Sequence, residues 1–184
     1  MVEVAMSPAK FEMVNFDHDG IVALVVQLAS ELGVSDDASI EIEVDEASPL
    51  MRIRVESVSP MRFHVEGGAF EDTRRPREQS DDNVRDAMGR LLLKATDRMS
   101  EGFADAPGDD ELTLAEAVAW EVYSVGRLVG LGGRGQRKRR LYQFRNRHGF
   151  TNTSDEAFEM LWAGKDLTWA DVSRISNGAK AVVN

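Results

Sequence analysis

Between Ile40 and Val65 the chain places an apolar side chain at every second position, three times over. Ile40, Ile42 and Val44 alternate with Glu41, Glu43 and Asp45. Met51, Ile53 and Val55 alternate with Arg52, Arg54 and Glu56, and Met61, Phe63 and Val65 with Arg62, His64 and Glu66. A period of two belongs to an extended strand with one apolar and one wetted face. The runs therefore predict three strands whose apolar residues share a face, each worth about 1.5–3 kcal/mol when covered. The charges propose an antiparallel register: Glu43 with Arg52 and Glu41 with Arg54, then Glu56 with Arg62 and Arg52 with Glu66 across a turn at Val58-Ser59-Pro60. A slip of one residue would expose the whole apolar face, so the register is expected to be firm.

Helical spacing brackets these strands. Asp17 or Asp19 is placed to cap a helix through Ile21, Leu24, Val25, Leu28 and Leu32, which Gly33 ends. After a polar loop from Gly67 to Gln79, Ser80 caps a long helix with Val84, Ala87, Met88, Leu91, Leu92, Ala95, Met99 and Phe103 on one face. The stretch 104–110, with Pro107 and Gly108, reads as a linker. Capping boxes are expected at Thr113/Glu116, Thr153/Glu156 and Thr168/Asp171. The predicted fold is α+β: an αβββα unit over residues 1–105 with a three-stranded antiparallel sheet, followed by a helical part over 106–184 packed on it.

The chain has 184 residues and no cysteine, which removes disulfides, thiolate nucleophiles and cysteine-based metal sites. Its N-terminus lacks a basic start followed by an apolar run, so it does not read as a secretory signal. The longest apolar run is Ile21–Val26, too short to span a membrane. A soluble cytoplasmic protein is expected. The charge is unevenly spread: residues 1–133 carry 12 basic and 27 acidic side chains, residues 134–147 seven basic and none acidic, and residues 148–184 three basic and five acidic. A net acidic molecule repels nucleic acid at long range, so polyanion binding would be local to 134–147.

Residues 130–135, Gly-Leu-Gly-Gly-Arg-Gly, match the dinucleotide pattern in letters only. That mechanism needs a preceding strand, and here a helix precedes, so a helix stop and a flexible connection are expected. His18, His64 and His148 have no partner at metal-binding spacing, and the string Asp17-His18-Asp19 reads as a helix start rather than a metal site. No metal, cofactor or catalytic residue is assigned. His64 is expected on the solvated face, and His148 at the carboxyl end of a helix, where it suits the dipole. The loop Glu71-Asp72-Thr73-Arg74-Arg75-Pro76-Arg77 could grip an anion or be an exposed connection whose arginines pair with the acidic remainder. The C-terminal helix pair has helix–turn–helix spacing, with Trp169, Ser173 and Arg174 as its outward residues, but a plain αα-hairpin is the commoner meaning.

The main anomaly is Arg134, Arg137, Lys138, Arg139, Arg140, Arg145 and Arg147, interleaved with Tyr142, Phe144 and Phe150. On a helix, Leu141, Phe144 and His148 would face one way while Arg137, Arg140 and Arg147 fan out elsewhere. Guanidinium forks suit carboxylate or phosphate. Such a helix either finds acidic neighbours in its own fold or stays open to a partner. The element order over residues 17–103 resembles that of double-stranded RNA-binding domains in topology alone. Those domains carry lysines at the start of the last helix, where this chain reads Ser80-Asp81-Asp82-Asn83, which argues against RNA binding by this half. The acidic character and helix-on-sheet plan also resemble small secretion-chaperone-like proteins, with no residue motif in common. The expectation is a non-enzymatic adaptor or regulatory protein that meets an acidic partner through the seven basic residues. The alternatives are a nucleic-acid binder using 134–147 and a small hydrolase or transferase; a homo-oligomer stays open, and a membrane partner is not expected.

Overall fold

The computed structural model describes residues 1–180 and divides the chain into two compact units, Met1–Thr96 and a second that opens at Asp97. Among the described residues it is a mixed α/β structure with six α-helices and a four-stranded mixed sheet.

In the first unit, β1 (Glu3–Ser7), β2 (Ser39–Asp45), β3 (Ile53–Val58) and β4 (Met61–Glu66) form one sheet in the order β1-β2-β4-β3. β1 runs parallel to β2, β2 runs parallel to β4, and only β3 is antiparallel to its neighbour. This corrects the expected αβββα plan twice. A strand precedes the first helix, written in the alternation of Val2, Val4 and Met6 with Glu3, Ala5 and Ser7. And β2 takes β4, not β3, as its partner: Glu41 lies opposite Arg62, ion-paired at 2.7 Å, and Glu43 lies opposite His64. Arg54 and Arg62 sit at equivalent places in two similar strands, so charge alternation alone could not choose between them. The loop 46–52 carries the chain past the place of β4 to the sheet edge, and the β3–β4 hairpin brings it back.

The β3–β4 hairpin turns at Ser59-Pro60 and pairs Ile53 with Val65, Arg54 with His64 and Val55 with Phe63. A bulge at Glu56 then shifts the register by one, so Ser57 and not Glu56 faces Arg62, and Glu56 takes Arg54 at 2.9 Å instead. Of the nine apolar residues on the shared face, Met51 is exposed, because β3 begins only at Ile53.

Helix α1 (His18–Glu31) starts with the Asp17 carboxylate accepting from the Gly20 amide at 3.0 Å and ends before Gly33, which has φ +71°. Helix α2 (Asp81–Met99) starts at Ser80, whose hydroxyl accepts from the Asn83 amide at 3.3 Å. Their apolar stripes, Ile21, Val25 and Leu28 with Val84, Met88, Leu91 and Leu92, join Ile40, Ile42, Phe63 and Val65 in one core. Residues 67–79 are not a plain loop. Gly67–Ala69 form a buried helical turn, and β5 (Glu71–Asp72) and β6 (Arg75–Gln79) form a small hairpin.

The second unit is helical: α3 (Leu114–Val129), α4 (Arg137–His148), α5 (Asn152–Ala163) and α6 (Trp169–Ala179). Phe103 does not extend α2, which stops at Met99. It sits in a separate turn over Glu101–Phe103 and stacks on Trp120 at 5.1 Å. The stretch around Pro107, expected as the linker, falls within this unit, held by Arg98 donating to the Pro107 carbonyl and to Asp109 at 2.7 and 2.6 Å. The boxes at Thr113/Glu116 and Thr168/Asp171 form. The third cap is Thr151 rather than Thr153, its hydroxyl accepting from the Ser154 amide at 3.1 Å. Trp169, one of the three outward residues of a helix–turn–helix reading, is buried against Trp120 at 5.3 Å.

Candidate interaction surface on helix α4

A loop rich in left-handed backbone delivers the chain into α4. Gly132, Gly135 and Gln136 have φ of +87°, +64° and +47°. It follows helix α3, so the strand–loop–helix geometry of a dinucleotide site is absent here. Gln136 makes no side-chain cap, and Arg137, Lys138 and Arg139 stand in the first turn. Cations at a helix amino end oppose the dipole by about 0.3–1 kcal/mol each. Their own helix therefore does not account for them.

The fold treats the seven basic residues unequally. Arg140 is buried and ion-paired to Glu121, not fanned outward as expected. Arg137 pairs with Glu159 and packs over Phe158, its guanidinium 5.5 Å from the ring centroid. Arg145 forms a double hydrogen bond to Asp155 at 2.7 and 2.6 Å. That guanidinium holds the Asp155 carboxyl below the usual carboxylate range, and Asp155 raises Arg145 in return. Both acids come from one edge of α5, four residues apart, so they meet α4 as a pair. Arg134 lies exposed in the loop before the helix.

Lys138 and Arg147 are exposed with no acidic partner among the described residues, and Arg139 reaches only the Gln136 side-chain oxygen at 3.1 Å. At 100° per residue, positions 138, 139, 142 and 146 share the outward arc, while Arg147 stands about 80° beyond it, beside the edge at which Arg140 turns inward. All five are exposed. Tyr142 and Phe150 stand within this arc, 59% and 63% exposed, against each other at 6.0 Å edge to face. Phe144, on the helix face it shares with His148, is fully buried, so of the three aromatics interleaved with the cations only Tyr142 and Phe150 face solvent.

His148 ends α4 and His64 lies opposite Arg54, as expected, but both are more covered than a solvated side chain would be. His148 is buried: Nδ1 lies 3.0 Å from the Phe144 carbonyl, Nε2 lies 2.9 Å from the Ser176 hydroxyl, and the ring stacks on Phe144. Burial pushes it below its ordinary range, so it carries no charge to meet the helix dipole. His64 is mostly covered and faces Glu43 at 3.9 Å. It lines a shallow cleft of about 430 Å³ with Ser7, Glu43, Asp45 and Glu46. There Asp45 accepts from the Ala47 amide and Glu46 from the amides of Glu12 and Met13, so both already serve the backbone. In the 71–77 segment Asp72 likewise accepts from the Arg74 amide and from Arg75. Asp17 caps α1 and His18 bonds Asp19 and the Met6 carbonyl; among the described residues no three His, Asp or Glu side chains gather as a metal cluster. No described helix is long and apolar enough to cross a membrane.

Set beside family models, curated proteins and solved structures, the chain matches none.

Proposed function

We propose that this chain is a non-enzymatic interaction protein that meets an acidic partner protein through the outward face of α4. The observation that carries the reading is the division among its cations. Arg137, Arg140 and Arg145 are neutralised by Glu159, Glu121 and Asp155, whereas Lys138, Arg139 and Arg147 are exposed without an acidic partner among the described residues. Two of these three stand at the helix end where a cation is unfavourable, and a carboxylate-bearing partner would relieve that repulsion.

The same cations could meet phosphates, and the charge count weighs against it. Residues 138–147 span about 13 Å at roughly 1.5 Å per residue, room for only a few phosphates. Three contacts on a single strand would give a log–log salt slope of only about −2, from roughly −0.7 per phosphate.

The test is binding of a fluorescent poly-glutamate peptide and of oligo(dT) of like length, each followed against salt. The triple variant Lys138→Glu/Arg139→Glu/Arg147→Glu serves as the control. Poly-glutamate is expected to bind the native chain at low salt and not the variant, with the melting temperature nearly unchanged. Equal binding by the variant, or none by the native chain, would overturn the reading. Preference for oligo(dT) would replace it with nucleic-acid binding.

A further inference from the structure

Gly149 leaves α4 at φ 106° and ψ 159°, a backbone region essentially reserved to glycine. That turn brings Phe150 back onto the outward face of the helix, where its ring meets Tyr142 edge to face. The Arg145 guanidinium, held on its other side by Asp155, lies 6.0 Å from the Phe150 ring centroid. Two large rings are thus fixed on the helix face that also carries Lys138 and Arg139, and are left more than half exposed. Neither belongs to the apolar core of this unit, which is built on Trp120, Tyr123, Phe144 and Phe158.

We infer that Tyr142 and Phe150 form an anchor for a large apolar side chain, carried by the same acidic segment that α4 binds. The inference rests on the proposed reading of α4 and adds the partner's second requirement: carboxylates alone are not enough. Lys138, Arg139 and Arg147 supply long-range attraction and orientation, which charged rims do well and which adds little affinity. The edge-to-face pair supplies apolar and aromatic surface, which is where binding energy concentrates in protein interfaces, with tyrosine and arginine overrepresented. A ligand ring lying on one of these rings would meet the other at its edge, a favourable contact in both cases. A nucleobase could stack there too, but the small cation count favours a peptide over a strand with a phosphate at every residue.

The experiment compares two short glutamate-rich peptides that differ at one central position, tryptophan in one and alanine in the other. The native chain is expected to bind the tryptophan peptide roughly tenfold more tightly. In Tyr142→Ala/Phe150→Ala that ratio should fall to near one, while binding of the alanine peptide and its salt dependence stay as in the native chain. Equal affinity of the native chain for the two peptides would overturn the anchor and leave the α4 reading intact. Binding of neither peptide would bring down the α4 reading and the anchor with it. Tighter binding of oligo(dT) than of the tryptophan peptide would also overturn the anchor, in favour of base stacking.

Discussion

The indole N–H of Trp120 donates to the Asp97 carboxylate at 2.8 Å, and both side chains are buried. The same carboxylate accepts both terminal nitrogens of Arg127, at 2.8 and 2.7 Å, while the Arg127 guanidinium lies 3.9 Å over the Tyr123 ring. One acid at the end of α2 thereby satisfies three donors of α3, and Tyr123 passes the connection on by donating its hydroxyl to the Lys165 carbonyl at 2.9 Å. Removing one partner of such a pair costs more than the pair itself contributes, because the other is left buried and unpaired. Asp97→Ala should lower the stability of the helical unit by about 3 kcal/mol, read from urea unfolding followed by Trp120 fluorescence. A loss below that of a surface substitution, about 0.5 kcal/mol, would show that water replaces the carboxylate.

At Gly126, in the last turn of α3, a Cβ would come within 2.1 Å of the Trp162 carbonyl oxygen of α5. Helix propensity favours alanine over glycine by about 1 kcal/mol. A backbone contact that close outweighs it, since α3 and α5 must separate. Gly126→Ala is therefore expected to destabilise despite better propensity, by roughly 1–3 kcal/mol in thermal or urea melts. Stabilisation would mean that the two helices do not approach here.

The start of α5 separates two threonines that look equivalent in sequence. Thr151 accepts from the Ser154 amide, whereas Thr153 lies exposed inside the first turn. Thr151→Ala should cost about 1 kcal/mol and Thr153→Ala close to nothing. The reverse order in chemical melts would restore the Thr153/Glu156 box.

Two histidines should respond to acid in opposite directions. His18 points Nδ1 at Asp19 (3.0 Å) and Nε2 at the Met6 carbonyl (3.1 Å). Both are acceptors, so only the imidazolium satisfies both, and the Asp19 bond with the Met6 bond raises it above its ordinary 6.5. Its contribution to stability is fully present below 6.5 and fades as pH rises through the raised value. His148 is satisfied when neutral, donating from Nδ1 to Phe144 and accepting from Ser176, and burial lowers it below 6.5. Its unfolded form takes up a proton first, so stability is intact above 6.5 and falls as pH drops toward the depressed value. Ring-carbon NMR titration should place the His18 midpoint above and the His148 midpoint below 6.5. Two midpoints on the same side would contradict one of the two hydrogen-bond assignments.

What the sequence determined by itself was local. The alternation over 40–65 made strands, Asp17, Ser80, Thr113 and Thr168 started helices, and glycines or turns ended them, because strand period and helix caps depend on residues two to four apart. The tertiary structure decided which equivalent partner each charge took. Glu41 could have met Arg54 or Arg62, and the strand order gave it Arg62. Seven cations in fourteen residues looked alike in sequence. Only the approach of α3 and α5 against α4 neutralised Arg137, Arg140 and Arg145 and left Lys138, Arg139 and Arg147 outward. Local periods are set by backbone geometry, whereas pairing among like residues is set by distances that exist only once the chain has packed.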